Sequence, residues 1–166
     1  MVLIDAGSEC WGYAADITRS WPVSGKFTEA QKQIYEVVLE AQKKAIEACV
    51  VGAPCTAPHQ TAREVLAKGL ITLGIIEQEV DEALAPDGEL STWYMHNTGH
   101  WIGLDVHDVG VYQPQGQPRT LEAGMVMTVE PGLYFAAWRE DVEMDERWAG
   151  IGIRIEDDVL VTAAGP

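Results

Sequence analysis

The sequence has no long hydrophobic run and few cysteines. No stretch reaches the ~18 to 20 apolar residues that a membrane span requires. Residues 1–4 run directly into Asp5 without the basic start and small-residue cleavage site of a signal peptide. The 3 cysteines are odd in number and lack CxxC spacing, which argues against a disulfide framework and a zinc knuckle. We therefore predict a cytosolic protein whose thiols are reduced and structural.

Basic residues are also scarce. The chain has 11 Lys and Arg against 26 Asp and Glu, for a formal net charge of −15. Because nucleic-acid binding needs clustered Lys and Arg, this balance argues against a nucleic-acid partner, and the missing apolar run argues against a membrane. With 166 residues, 47% hydrophobic and 22% charged, the chain has the composition of one globular domain. Carboxylates in apolar surroundings then need an explanation, because an unpaired buried charge is costly.

Strand patterns occur at both ends of the chain. Residues 2–5 and about 13–22 predict a hairpin, with Gly7 and Gly12 as turn formers. After Tyr94, the pattern consists of short β-like runs interrupted by glycine. These runs cover residues 101–106, 125–129, 132–135 and 151–162.

Helical periodicity occupies the middle of the chain. Thr28 and Gln31 predict a capping box at the start of a long helix that ends near Gly52. A second helix is predicted over 58–73 and a short acidic one over 76–85. The predicted fold class is α+β, with helices covering one face of a curved antiparallel sheet.

Two carboxylates lie in the predicted hairpin. A turn at residues 10 and 11 would set Asp5 opposite Asp16, with Cβ atoms ~5 Å apart on one face. Carboxylates held that close repel each other unless one is protonated or cations lie between them. Their apolar neighbours favour a metal site, and an exposed pair at a hairpin edge is the alternative.

Two further carboxylates lie in strand-like segments near the C-terminus. In the alternating run 150–159, Arg154 and Glu156 share one face, so that Arg154 could support a carboxylate while Glu156 binds a cation. Taken alone, this pattern also fits a surface strand with a salt bridge. Glu130, just before Pro131 and Gly132, could likewise simply mark the end of a strand.

Three of the 4 histidines, His96, His100 and His107, lie close together in the sequence. The four-residue spacing of His96 and His100 resembles a helical zinc pair, but Gly99 and Gly103 disfavour a helix, and a loop that leads into a strand fits better. One imidazole among several carboxylates suits Mn²⁺, with Co²⁺ or Zn²⁺ tolerated. Two such ions ~3.5 to 4 Å apart could together activate water and polarise a carbonyl for amide hydrolysis.

The order Asp5, Asp16, His100, Glu130 and Glu156 resembles the ligand set of the pita-bread (creatinase/aminopeptidase-like) metallopeptidases. The local context of each residue is most similar to bacterial aminopeptidase P, over residues 4–7, 12–19, 100–108, 129–134 and 152–158. The resemblance implies the pita-bread fold and two divalent metal ions. It also implies an exopeptidase that cleaves between an N-terminal residue and a following proline.

Residue roles also follow from the resemblance. Asp5 and Asp16 would hold one metal, with Asp16 bridging. His100 and Glu130 would hold the other, with Glu156 bridging back. Glu130 would also accept the proton of the attacking water. The remaining roles fall to His107 at the substrate carbonyl, His96 along the substrate site, and Arg154 with Tyr134 orienting Asp5.

The chain departs from the family pattern in two ways. Asn97 and Gly99 stand where members usually have a glycine and a small hydroxyl residue. Members also carry further helices, strands and a substrate-contacting histidine ahead of the strand that bears Asp5. We therefore expect residues 1–166 to be a partial catalytic domain, truncated at the N-terminus, from a homo-oligomeric parent. Alone, this fragment should self-associate and have negligible peptidase activity.

Two other functions stay open at this point. A prolidase would share the fold and ligands but act on dipeptides that end in proline. The short interval between His100 and Glu130 and the segment before Gly150 look more like aminopeptidase P. The second alternative is an inactive fragment that only binds peptides.

Overall fold

A computed structural model describes residues 1–166. The chain begins with a β-hairpin, continues through two long and two short helices, and ends in paired strand segments. The strands are β1 (Val2–Asp5), β2 (Glu9–Cys10), β3 (Tyr13–Ala14), β4 (Thr18–Trp21), β5 (Val126–Val129), β6 (Gly132–Phe135), β7 (Ile151–Arg154) and β8 (Asp157–Leu160). The helices are α1 (Glu29–Glu47), α2 (Ala57–Thr72), α3 (Val80–Ala83) and α4 (Leu90–Trp93), and a single 3₁₀ turn spans Pro114–Gly116.

The predicted N-terminal hairpin is present, but its register differs from the prediction. β1 pairs with β4 and β2 with β3, so the predicted strand 13–22 is divided in two. The turn residues are Trp11 (φ 59°) and Gly12 (φ 84°), as in a type I′ turn, and not residues 10 and 11. Asp5 therefore lies opposite Thr18, and the prediction that it faces Asp16 directly is wrong.

Although the register differs from the prediction, Asp5 and Asp16 still lie on one face of the hairpin. Side chains alternate between faces with a period of two, and Asp16 is two residues from Thr18, the partner of Asp5. Asp16 is consequently a diagonal neighbour of Asp5, at a distance that side chains can still span. Gly7 allows the two arms of the hairpin to approach each other closely here, because a Cβ at this position would lie 1.6 Å from the carbonyl oxygen of Ala15.

The two long helices confirm the helical pattern of the sequence. Thr28 accepts a hydrogen bond from the Gln31 amide while the Gln31 side chain accepts one from the Thr28 amide, which completes the predicted capping box. α1 and α2 pack closely at Gly69, where a Cβ would lie 2.5 Å from a methyl group of Val37. The predicted acidic helix is limited to the short α3, and α4 was not predicted.

The C-terminal strands form one long antiparallel pairing with a gap. β5 pairs with β8 and β6 with β7, and the register is the same in both ladders, from Val129 opposite Asp157 to Gly132 opposite Arg154. The predicted single strand 151–162 is therefore interrupted at residues 155–156. In the shared register, Glu130 falls opposite Glu156 inside the gap.

The segment 98–102 runs along the other edge of β5. The Thr128 amide donates to the His100 carbonyl, the Glu130 amide donates to the Thr98 carbonyl, and Trp101 forms a single bridge with Met127. The predicted strand 101–106 is wrong in its bounds, because the chain turns back after residue 102. The segment still holds its histidine beside β5.

The core lies between the helices and one face of the strands. One cluster joins Ile34 and Val38 of α1 to Leu133 and Ile153 of the strands, and a second cluster includes Cys49 and Cys55. Cys10 is exposed, so the expected structural role fails for that thiol. The architecture is α+β, as predicted, and none of its helices has both the length and the apolar character of a membrane span.

Candidate metal centre

Glu156 is the most deeply buried carboxylate of the site. It lies in the gap between β7 and β8, is 1% exposed and is opposite Glu130. Thr18 donates a hydrogen bond to its Oε2 at 2.5 Å, whereas its buried Oε1 has no hydrogen-bond partner. The Glu156 amide donates to the Thr18 carbonyl, which joins the C-terminal strands to the N-terminal hairpin. A buried carboxylate with a free oxygen requires either a proton or a cation.

The electrostatic surroundings of Glu156 also indicate that it needs a proton or a cation. The pKa of Glu156 is raised to about 7, chiefly by burial and further by the charges of Glu130, Asp16 and Asp5, while the Thr18 hydrogen bond acts in the opposite direction. Burial also raises the pKa of Asp16, which is 8% exposed, and contact with Asp5 adds to this effect. Negative charge is therefore concentrated in a desolvated space that a divalent cation would neutralise.

Asp5 and Asp16 reach the site from the two strands of the hairpin. The Asp16 amide donates to Oδ2 of Asp158, which fixes the backbone between β3 and β4. Asp5 is more exposed and accepts a hydrogen bond from Nη2 of Arg154 at 2.6 Å. The diagonal arrangement therefore brings the two carboxylates together although they are not directly paired.

His100 turns one ring nitrogen toward the carboxylates. Its Nδ1 lies 3.0 Å from the Trp101 carbonyl oxygen. Since a carbonyl can only accept, Nδ1 carries the proton in the neutral ring and Nε2 keeps a free lone pair. Nε2 lies 3.4 Å from both Asp16 Oδ2 and Glu130 Oε1. This tautomer is the one that a metal ligand needs.

Five predicted ligands converge, three of them most closely. Ligand atoms of Asp16, His100 and Glu156 all lie within 4.8 Å of one another. Glu130 contacts His100, and Asp5 adjoins Asp16 while it is held by Arg154. Four carboxylates, one imidazole and a free buried oxygen suit a hard divalent ion, so the residues fit the metal that their pattern implies.

Arg154, Tyr134 and His96 form a chain of contacts that begins at Asp5. Arg154 Nη1 donates to the Tyr134 hydroxyl at 3.3 Å, and this hydroxyl lies 2.8 Å from His96 Nε2. Arg154 Nε also donates to the Thr18 hydroxyl, which in turn donates to Glu156. Both N-terminal and C-terminal carboxylates are therefore oriented by one guanidinium.

His107 lies at the open side of the site. Its ring centroid is 4.2 Å from that of His100 in an edge-on arrangement, and the side chain is exposed. His107, Asp5 and Asp16 line a cavity of about 610 Å³ between the hairpin tip and residues 104–107. This cavity gives a ligand access to the carboxylates.

The structure accounts for the departures at Asn97 and Gly99. A Cβ at Gly99 would lie 2.0 Å from the Thr128 carbonyl oxygen, so β5 approaches this position too closely in this chain for a side chain to fit without a shift. Asn97 has no positive φ, and its backbone therefore needs no glycine.

Sequence reasoning did not identify Thr18, Asp158 or His59 as site residues. Thr18 is fully buried and links Arg154 to Glu156, and Asp158 has a buried oxygen without a partner and a pKa raised by burial. Thr18 could have been found from the alternation of the hairpin in the correct register. No local pattern marks His59, because its contact with Thr98 spans 39 residues.

The chain belongs to metallopeptidase family M24. The family model matches residues 1–163, and the α+β architecture with its acidic centre is the pita-bread fold. Among individual proteins, the chain is 48% identical over 165 residues to the Xaa-Pro aminopeptidase of Escherichia coli K12 and 49% identical over 165 residues to that of Haemophilus influenzae. The alignments cover 99% of this chain and 36% and 37% of those proteins.

Solved structures give the same relationship. Aminopeptidase PepP of Pseudomonas aeruginosa superposes with a TM-score of 0.93 at 48% identity, and E. coli aminopeptidase P with a TM-score of 0.89 at 48% identity. Each match covers 98% of this chain and 36% of the other. The chain thus spans little more than a third of the length of these relatives.

Proposed function

We propose that this chain is the metal-bearing part of an Xaa-Pro aminopeptidase, a metallopeptidase that removes an N-terminal residue preceding proline. The observation that carries the proposal is the opposed pair of Glu130 and Glu156. Oε1 of Glu156 is buried without a partner, and a carboxylate oxygen of Glu156 lies within 4.8 Å of ligand atoms of Asp16 and His100. The names of the similar proteins from E. coli and H. influenzae support the substrate class. In this proposal, residues 1–166 are part of a catalytic domain.

Five residues would hold two divalent ions. Asp5 and Asp16 are assigned to one ion, with Asp16 bridging, and His100 and Glu130 to the other, with Glu156 bridging back. We propose Mn²⁺, with Co²⁺ or Zn²⁺ tolerated, because oxygen donors predominate and no thiolate is present. When bound, such a pair polarises a carbonyl and lowers the pKa of water.

Glu130 is the proposed general base. Its Oε1 accepts a hydrogen bond from Thr128 at 3.0 Å and its Oε2 lies 3.9 Å from Arg154 Nε, so both oxygens have defined neighbours. A carboxylate held in this way can take the proton of an attacking water without a change of rotamer. Catalysis by a positioned base contributes ~10² to 10⁴-fold in rate.

His107 and His96 are the proposed substrate contacts. His107 lines the open cavity beside His100 and can donate a hydrogen bond to a substrate carbonyl or pass a proton to the leaving amine. His96 is linked through Tyr134 to Arg154 and would line the substrate site, while Arg154 and Tyr134 orient Asp5.

A chimera tests the proposal. The E. coli Xaa-Pro aminopeptidase would receive this chain in place of its matched 165 residues. We expect the chimera, loaded with Mn²⁺, to release the first residue of a tripeptide with proline at position two and to leave the alanine analogue intact. Cleavage of dipeptides alone would favour a prolidase, and peptide binding without turnover would favour the binding fragment.

Glu130→Gln in the chimera tests the base. We expect kcat to fall ~10² to 10⁴-fold with little change in KM, because the amide cannot accept the water's proton. Glu122→Gln, at a side chain 70% exposed on the surface, is the matched control and should keep full activity. An unchanged kcat in Glu130→Gln would remove Glu130 from this role. A homo-oligomeric parent protein and a cytosolic location also belong to the proposal.

A further inference from the structure

His59 of α2 lies directly behind the segment that carries His96 and His100. Its Nδ1 is 2.8 Å from the Thr98 hydroxyl and accepts a hydrogen bond from the Thr98 amide at 3.2 Å. The Thr98 hydroxyl is also 2.6 Å from the hydroxyl of Tyr94. Thr98 is 1% exposed and Tyr94 5% exposed, so these polar groups have only one another as partners.

The hydrogen bonds determine the protonation state of His59. A backbone amide can only donate, so Nδ1 must be unprotonated and the ring proton must reside on Nε2. The Thr98 hydroxyl can then donate to Nδ1 while Tyr94 donates to the Thr98 oxygen. A proton on Nδ1 would break the bond from the Thr98 amide and reverse the direction of the bond with the Thr98 hydroxyl. Burial lowers the pKa of His59 to about 4, with Arg63 and His96 contributing, in agreement with a neutral ring.

Thr98 connects this cluster to the proposed ligands. Its carbonyl accepts a hydrogen bond from the Glu130 amide at 2.7 Å, and two residues later the His100 carbonyl accepts from Thr128. Tyr94, the third member of the cluster, packs edge-on against the ring of His96, with centroids 4.9 Å apart. A displacement of Thr98 would therefore shift Glu130 and the segment 96–100 together.

We propose that His59 is a positioning residue of the M24 site, which as a neutral double acceptor at Nδ1 holds Thr98 and thereby fixes Glu130 and His100. The proposal rests on the proposed function only for the roles of those two residues. His59, Thr98 and His100 line a cavity of about 310 Å³, so no packed protein group is available to replace the imidazole.

Two nearly isosteric substitutions of His59 test the proposal. Asn retains an acceptor close to the position of Nδ1, and Leu removes it while it keeps the shape. In His59→Leu we expect Mn²⁺ binding, measured by the electron paramagnetic resonance of free Mn²⁺, to weaken ~10- to 100-fold, as is typical when an outer partner of a metal site is lost. His59→Asn should stay within about threefold of the original chain.

Hydrogen exchange of the metal-free chain supplies a second measurement. Peptides that contain residues 96–100 and 128–130 should exchange faster in His59→Leu and at the original rate in His59→Asn. Equal Mn²⁺ affinity and equal exchange in both variants would overturn the proposal. If His59→Leu does not fold, the ¹⁵N shifts of the original chain decide, because an Nδ1-protonated His59 would contradict it. An inactive chimera with these effects intact would contradict the proposed function alone.

Discussion

At the scale of single residues, the burial of Glu156 sets the candidate metal centre apart from an ordinary acidic surface. Exposed carboxylates are solvated and need no partner, whereas Glu156 is 1% exposed with one oxygen unpartnered. Three other carboxylates raise its pKa, and the adjacent Arg154 is directed at Thr18, Tyr134 and Asp5 instead. Binding of a cation should therefore stabilise the folded chain considerably.

Glu156→Gln should reduce the stabilisation of the folded chain by bound metal. With Mn²⁺ at about a hundred times its Kd, linkage adds ~2.7 kcal/mol to the folded state of the original chain, or ~5 to 10 °C in Tm. The amide is a weaker ligand, so the same Mn²⁺ concentration should raise the Tm of Glu156→Gln by less than half as much. Scanning calorimetry with and without Mn²⁺ measures both shifts. A shift as large as that of the original chain would exclude Glu156 as a ligand.

His59 should make stability sensitive to mildly acidic pH. Its pKa in the folded chain, about 4, lies below the ordinary value of 6.5, so the unfolded chain binds more protons between these values. Stability is therefore complete above pH 6.5 and falls as pH decreases toward 4. Discounted for partial exposure, the loss is ~1 to 2 kcal/mol.

His59→Asn isolates this contribution, because Asn does not titrate. Urea unfolding at pH 7 and at pH 5 should show a smaller loss of unfolding free energy in His59→Asn than in the original chain. All other titrating groups are shared, so identical losses would show that His59 does not titrate as described.

At the scale of secondary-structure elements, the hairpin turn combines two favourable features with one unfavourable one. A two-residue turn with both φ positive matches strand twist, and Gly12 accepts such a φ easily. Trp11 does not, because a bulky side chain at φ 59° is strained. It is also 96% exposed and gains little packing in return.

Trp11→Asn should therefore stabilise the chain. Asn tolerates the left-handed region and is preferred at this turn position, so we expect a gain of ~1 kcal/mol in unfolding free energy. Chemical denaturation followed by circular dichroism measures the change. Trp138→Asn, another highly exposed tryptophan but without a positive φ, is the control and should have little effect. A destabilised Trp11→Asn would contradict the strain argument.

Local signals predicted the elements well, and pairings less well. The capping box of Thr28 and Gln31 depends on neighbours three residues apart, and it formed as predicted. The prediction of the hairpin register was wrong because Trp11 is an unusual residue for a left-handed turn position. The alternating pattern 151–162 continues through Glu156 without a visible break, since its interruption is set by pairing with β5 and β6.

At the scale of the whole molecule, prediction of the site depended on the order of its residues in the sequence and on the family resemblance more than on geometry. The five ligand candidates were identified from the sequence, and the structure brings them together. Sequence alone could not reveal that Glu130 and Glu156 oppose each other, because this requires the register of two paired segments. His59 was missed because its partner Thr98 is remote in sequence and its own helix shows no motif.

Surface composition predicts self-association of the 166-residue chain. Several large apolar side chains are highly exposed. β1 pairs only with β4, which leaves its other edge without a partner strand, and Ile4 of β1 is 46% exposed. The net charge of −15 opposes contact between copies, so association should increase as salt screens that charge. Sedimentation velocity at low and high salt measures this.

Ile4→Lys should reduce the self-association, because a lysine on an edge strand disfavours pairing with another chain. Val23→Lys, at an exposed position outside the strands, adds the same charge and is the control. If both variants behave alike, net charge and not the edge of β1 governs association.

The bond between Asp5 and Arg154 joins residues 149 positions apart, and this separation matters during synthesis. Ribosomes add ~5 to 20 residues per second, so the hairpin leaves the exit tunnel ~7 to 30 seconds before the strands that complete it. Throughout this interval the hairpin has an open strand edge and carboxylates without their guanidinium. The nascent chain should therefore be a target for chaperones that bind to unpaired strands on the ribosome.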